Sequence, residues 1–207
     1  MDYNILISFI GATLLLAITP GPDNIFVLMQ SMAHGKKYGM ATVFGLISGC
    51  LIHTTLVAFG VSAIIQKNQM LFMTIKIFGA LYLLYLAYNA FKNKADISLS
   101  SENTVKKSES QLFRQGFLMN VLNPKVSIFF LAFFPSFLFS EELRNVVQFF
   151  VLGLLFMLSS LIVFSIIALL AGSISGVITK NRNVGIYLKW LQIIVFIAIA
   201  IFILFSD

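Results

Sequence analysis

The chain has 207 residues, 59% of them hydrophobic and 11% charged, with a mean hydropathy of +0.95, which excludes an ordinary soluble domain, whose apolar share lies near half. Its 22 phenylalanines, and charges gathered into clusters between long uncharged runs, indicate separate membrane spans rather than one water-soluble core. A net charge of +6 would suggest nucleic acid in a soluble protein, but here the basic residues sit in short loops between apolar runs and report topology instead.

The opening MDYNILISFI lacks the positive region of a cleavable signal peptide, and no small-residue cleavage site interrupts the apolar run that it begins, so the first apolar segment is expected to be retained. A spanning helix needs about 20 mostly apolar residues. Six segments meet that measure, at 4–30, 40–65, 70–91, 116–139, 146–171 and 189–206. None alternates with period two, so they are expected to be helices rather than barrel strands.

The first span contains ITPGPDNIF. Pro20 and Pro22 each remove a backbone donor and clash with the carbonyl four residues back, so they cannot share one unbroken helix, and the backbone around Gly21 must open. In lipid an open backbone survives only under protein or beside water, which places this stretch inside the bundle. Asp23 follows the break, and burying its charge would cost about 2.5 to 3.5 kcal/mol on insertion scales, so a partner is required. Asn24 adds an amide beside it. His34, next to Gly35 and Lys36, belongs to a loop and is given no role.

In the second span Ala41, Gly45, Gly49 and His53 form a stripe at four-residue spacing, the pattern of close helix packing, which turns His53 toward protein. His53 is a packing histidine or a proton carrier, being the side chain that titrates near neutrality unaided. Cys50 is the single cysteine, so an intrachain disulfide and a dithiol relay are both excluded. In the third span Tyr82, Tyr85 and Tyr88 are expected to pack in the core. The polar stretch KNKADISLSSENTVKKSESQ then divides the chain into a first three-helix unit (1–91), a solvated cytoplasmic linker (92–115) and a second unit (116–207).

The fourth span repeats the pattern of the first. GFLMNVLNPKVS sets Asn120, Asn123, Pro124 and Lys125 where GATLLLAITPGPDN sets its own proline break and charge, Gly153 of the fifth span answers Gly45, and Lys189 opening the sixth answers Lys76 opening the third. Three spans per half insert the second half upside down, so the expected fold is an all-α membrane protein of six transmembrane helices. They form two inverted three-helix repeats, with the first and fourth helices broken at proline. Lys125 is then the natural partner of Asp23, the alternative being that Asp23 caps its half-helix while Lys125 snorkels to the interface. Trp190 is expected to anchor the sixth span. Alternate loops carry ten Lys and Arg against two, which places both termini outside the cytoplasm.

Amide groups, freed carbonyls and half-helix N-termini, with one charge of each sign, suit a zwitterion. TPGPDN, FGLISG, GALYLLYLA, and GFLMNVLNPK with FFLAFFP are together similar to the LysE/RhtB family of bacterial amino-acid exporters, over nearly the whole chain. That resemblance implies export of amino acids such as lysine, threonine, homoserine, leucine or cysteine across the inner membrane by proton-motive force. Carried over by position, it marks Thr19, Pro20, Gly21, Pro22 and Asp23, then Asn123, Pro124 and Lys125. Ala87, where many members have glycine, and the Lys189–Trp190 start of the sixth span depart from the family pattern. The partners implied are an amino acid, protons and the bilayer, with self-association left open and no nucleic acid, metal or cofactor called for. A metal or small-ion exporter is the competing transport reading, disfavoured by the lack of clustered Cys, His or carboxylate in the spans. Among membrane enzymes, a thiol relay would need paired cysteines and a metalloprotease H-E-x-x-H, which are absent; a serine protease pairing His53 with Ser48 or Ser159 stays open, without a nucleophile motif to support it, and an assembly subunit would tolerate Asp23→Asn.

Overall fold

Prolines and glycines set the punctuation of the chain, and the computed structural model, which describes residues 2–92, 107–180 and 182–206, follows it. Helix α1 (Tyr3–Ile18) is capped by Asp2, whose Oδ1 accepts from Asn4 N at 2.9 Å. The chain then runs extended through residues 19–21 and restarts as α2 (Pro22–His34), bent by 59° from α1. Gly35, at φ 101°, ends α2 and starts α3 (Lys36–Leu56), a hairpin of one residue that needs the left-handed freedom of glycine. A wider, π-type turn at Val57–Val61 and α4 (Ser62–Lys67) continue α3, and α5 (Gln69–Lys92) returns.

Residues 93–106, most of the expected linker, lie outside the described residues. Helix α6 (Glu109–Val121) begins inside the segment expected to be linker, because Ser108 and Gln111 form a reciprocal capping box. After a break at Leu122 and Asn123, α7 (Pro124–Ile128) runs on through a π-type turn (Phe129–Phe133) into a 3-10 turn (Phe134–Phe137), bent by 48° from α6. Helix α8 (Asn145–Leu169) follows, then the short α9 (Ala171–Lys180), where the sequence predicts a loop, and α10 (Arg182–Phe205), which starts before the span expected at 189. Among the described residues four helices are long and apolar enough to cross a membrane, or up to six spans if each bent pair is one. Among the described residues there is no strand.

Two close seams hold the bundle. On α3, Gly45 and Gly49 meet α6, where a Cβ at Gly45 would collide with the Phe113 carbonyl and one at Gly49 would come within 2.7 Å of Asn120 Oδ1. Gly116 answers from α6, 2.5 Å from the Thr42 carbonyl by the same measure. Small residues permit such approach, and packing and polar contacts stabilise helix pairs where no hydrophobic drive exists between them. Gly153 meets Thr54 of α3, so it serves a different helix pair from Gly45.

Helices α5 and α10 pack antiparallel and clasp each other at both ends. Lys76 donates to the carbonyl of Ser206 at the end of α10, and Lys189 donates to the carbonyl of Phe91 at the end of α5, at 2.7 Å. The buried stripe of α5 is Lys76, Gly79, Ala80, Leu83 and Ala87, the 3.6-residue period of one face. Tyrosines spaced by three drift off that stripe. Tyr85 and Tyr88 are therefore exposed on the outer face of α5, a correction to their expected place in the core.

Phe9, Phe129, Phe130, Phe133, Phe134, Phe137 and Phe156 are all buried and stack in edge and offset contacts, with ring centroids 4.1 to 6.4 Å apart. Nearby, fully buried Gln148 makes four hydrogen bonds to the 139–143 loop. Its Oε1 accepts from Phe139 N and Ser140 N, and its Nε2 donates to the carbonyls of Ser140 and Leu143. An unpaired amide here would be costly, and this one is fully used in fixing the loop.

Candidate functional site

Opening a helix at proline leaves carbonyls without donors, and in each bent pair an asparagine or histidine takes over. In the first pair Gly21 is extended (φ −161°, ψ 177°), so its N–H does not serve Ala17, and Asn24 Nδ2 reaches back to the Ala17 carbonyl at 2.7 Å. Thr19, fully buried, is satisfied by its own turn, its Oγ1 donating to Leu15 O at 2.7 Å. In the second pair Pro124 has no N–H for the Asn120 carbonyl. That oxygen accepts from Asn123 N at 3.0 Å and from His53 Nε2 at 3.1 Å. His53 is buried, stacks on Phe130 and braces the break from α3.

The two second halves start alike. Gly21, Pro22 and Asp23 occupy the cap, first and second positions of α2, and Asn123, Pro124 and Lys125 occupy the same positions of α7. Proline is suited to a first position because its missing N–H is unneeded there. Pro22 rather than Pro20 is thus the counterpart of Pro124, and Pro20 serves to hold the chain extended before the cap.

Asp23 is buried and does not cap α2. Its Oδ2 accepts from Asn123 Nδ2 at 3.0 Å, while Asn123 Oδ1 accepts from Lys125 N at 3.0 Å, so one amide joins the carboxylate of one break to the helix start of the other. The half-buried Lys125 ammonium lies 5.2 Å from the centre of the Phe196 ring, a cation–π distance, and faces Gly21, where an added Cβ would be 3.7 Å away. Asp23 and Lys125 therefore share a site through Asn123 rather than by a direct hydrogen-bonded ion pair. Among the described residues the ion pair present is Lys37 with Glu109, at 2.7 Å between two exposed side chains.

These groups line a cavity of about 40 Å³, space for a few water molecules. Its wall takes in Gly21, Pro22, Asp23, Asn24, Asn120, Asn123 and Lys125 from the breaks, with the apolar Leu16, Ala17 and Val126 beside them. The sequence did not point to its other members: Cys50, whose thiol faces Asn120 Oδ1 at 3.7 Å, together with Phe156, Ser160 and Phe164 of α8. Ser160 could have been noticed as one of the paired hydroxyls, with Ser159, in an apolar run; the phenylalanines carry no such signal. His53, Thr19 and Pro124 stand outside the wall, and Pro20 borders a neighbouring apolar cleft instead.

A multi-pass helical bundle that interrupts two helices around a buried polar cavity is built as a membrane transporter for a small solute. The chain belongs to the LysE type translocator family, whose model matches residues 14–206, and as such is a small-molecule exporter. It is similar to the Bacillus subtilis membrane protein YrhP, 32% identical over 141 residues that cover 64% of this chain and 67% of that protein. It is also similar to the homoserine/homoserine lactone efflux protein of Salmonella typhimurium, 27% identical over 169 residues, 82% of this chain and 81% of that one. A membrane protein of Vibrio cholerae is 26% identical over 154 residues, 74% of each chain. No solved structure matches the chain.

Proposed function

We propose that this exporter moves amino acids or close derivatives out of the bacterial cytoplasm, across the inner membrane, driven by the proton-motive force. The observation that carries the reading is the meeting of two helix breaks at one cavity, where Asp23 suits an ammonium while Lys125 and the α2 start suit a carboxylate. The homoserine/homoserine lactone efflux relative supports an amino-acid cargo. The lack of any group of three His, Cys, Asp or Glu among the described residues speaks against a metal cargo.

In this reading the protein is two inverted three-helix repeats. The matched Gly-Pro-Asp and Asn-Pro-Lys starts support it, as does the reciprocal clasp of Lys76 and Lys189, which a twofold axis in the membrane plane would exchange. Thr19, Pro20, Gly21, Pro22, Asp23 and Asn24 with Asn120, Asn123, Pro124 and Lys125 form the pathway, and His53 is the candidate proton carrier. Both termini lie outside the cytoplasm, with the Lys189 end of the bundle inside.

Cells overproducing the protein and fed dipeptides should lower their internal amino-acid pools and accumulate the amino acid outside; an unchanged internal pool overturns the reading.

A further inference from the structure

The polar cavity is too small for an amino acid, since small-molecule sites run from roughly 300 Å³ upward, but it borders a larger space. A cleft of about 320 Å³ opens between α2, α8, α9 and α10 at the Lys189 end of the bundle. Ile25 and Leu28 of α2, Val163 and Ile166 of α8, Ile174 of α9 and Leu188 of α10 form its wall, with no aromatic and no charged residue. The chain is otherwise rich in phenylalanine, with 22 in all, and Phe156 and Phe164 reach the adjoining polar cavity but not this cleft. Asn24 borders both the cleft and the polar cavity, and Pro20 fixes the cleft's edge at the break itself.

Resting on the amino-acid reading above, we propose that this cleft receives the side chain of the cargo, and that the cargo is a neutral amino acid with a branched aliphatic side chain. The ammonium and carboxylate bind at Asp23, Asn123 and Lys125, and the side chain passes Asn24 into the isoleucine, leucine and valine wall. A charged side chain would be stripped of water there without a partner, at a cost of several kcal/mol per ion. An aromatic ring would need a flat slot, where these branched side chains leave a rounded one. An acyl chain of the bilayer is the competing occupant, and it would make no use of the junction at Asn24.

The test is efflux from vesicles containing the purified protein, loaded in turn with leucine, valine, alanine, phenylalanine, lysine and glutamate. Leucine and valine are expected to leave fastest. Ile166→Phe, at a half-exposed position that tolerates bulk, is expected to slow leucine by roughly tenfold, as loss of a fitted methylene space does, while alanine changes little. Equal slowing of alanine and leucine, with an unchanged melting temperature in detergent, overturns the proposal, as does no effect on either, the result expected of a lipid-filled groove. Preference for lysine or glutamate overturns the aliphatic cargo while leaving amino-acid export standing. Efflux of none of the six overturns the aliphatic cargo, and efflux of neither these nor homoserine and threonine, with the protein folded, overturns the amino-acid reading itself.

Discussion

Asp23→Asn is expected to abolish export while leaving the protein folded and at normal levels in the membrane. The substitution keeps the shape and an oxygen that can still accept from Asn123 Nδ2, so the link between the two breaks survives and only the charge goes. Truncating one member of a buried, hydrogen-bonded charge pair costs about 2 to 5 kcal/mol of binding, or roughly thirtyfold or more in affinity for a cargo ammonium. Efflux from loaded vesicles at equal protein density measures this, and a rate within twofold of the parent would remove Asp23 from the site. Asn123→Ala should also impair export, but together with stability, because it strips the cap from α7 as well as the partner from Asp23. Exchanging the charges, Asp23→Lys with Lys125→Asp, should stay inactive. Asn123 Nδ2 would then face an ammonium, donor against donor, and turning the amide to suit it would cost the Lys125 N–H its acceptor.

The breaks were legible in the sequence because proline's missing N–H is a covalent property, indifferent to tertiary context: Pro20, Pro22 and Pro124 all fall where the helices are interrupted. Lys76 and Lys189 stood out as cations in apolar spans, but that each donates to a carbonyl at the end of the other's helix depends on how α5 and α10 pack and could not be read from the chain. The partner of Asp23 was not legible. Charge alone pointed to Lys125, whereas choosing Asn123 depends on where two helix starts from distant parts of the chain come to rest within an ångström. The start of α6 was hidden by composition, since Ser108, Glu109 and Ser110 read as loop, although Ser108 with Gln111 already carried a capping-box spacing. Phe156 and Phe164 reach the cavity from a span so uniformly apolar that no periodicity tells its inner face from its outer one.

Gly45→Ala is expected to be the most damaging glycine-to-alanine change among the twelve glycines whose surroundings are described. The added Cβ would run into the backbone carbonyl of Phe113, which no rotamer change can move, so α3 and α6 must separate along their length. Overpacking of this kind costs typically about 1 to 3 kcal/mol, at the upper end or beyond where backbone is the obstacle. The seam also carries function. Gly49 sits one turn further along the same face against Asn120, and His53 a turn beyond that holds the Asn120 carbonyl left by Pro124, so separating the helices pulls the brace from the second break. Gly11→Ala is the control, because nothing lies within 4 Å of its added Cβ and alanine is favoured over glycine inside a helix by roughly 0.5 to 1 kcal/mol. Melting temperatures in detergent should therefore fall for Gly45→Ala and hold or rise for Gly11→Ala. At temperatures where Gly45→Ala remains folded, its export should still be reduced, because the α3–α6 distance that sets stability also sets where Asn120 and Asn123 stand. Parent-like export from a destabilised Gly45→Ala protein would separate the seam from the site.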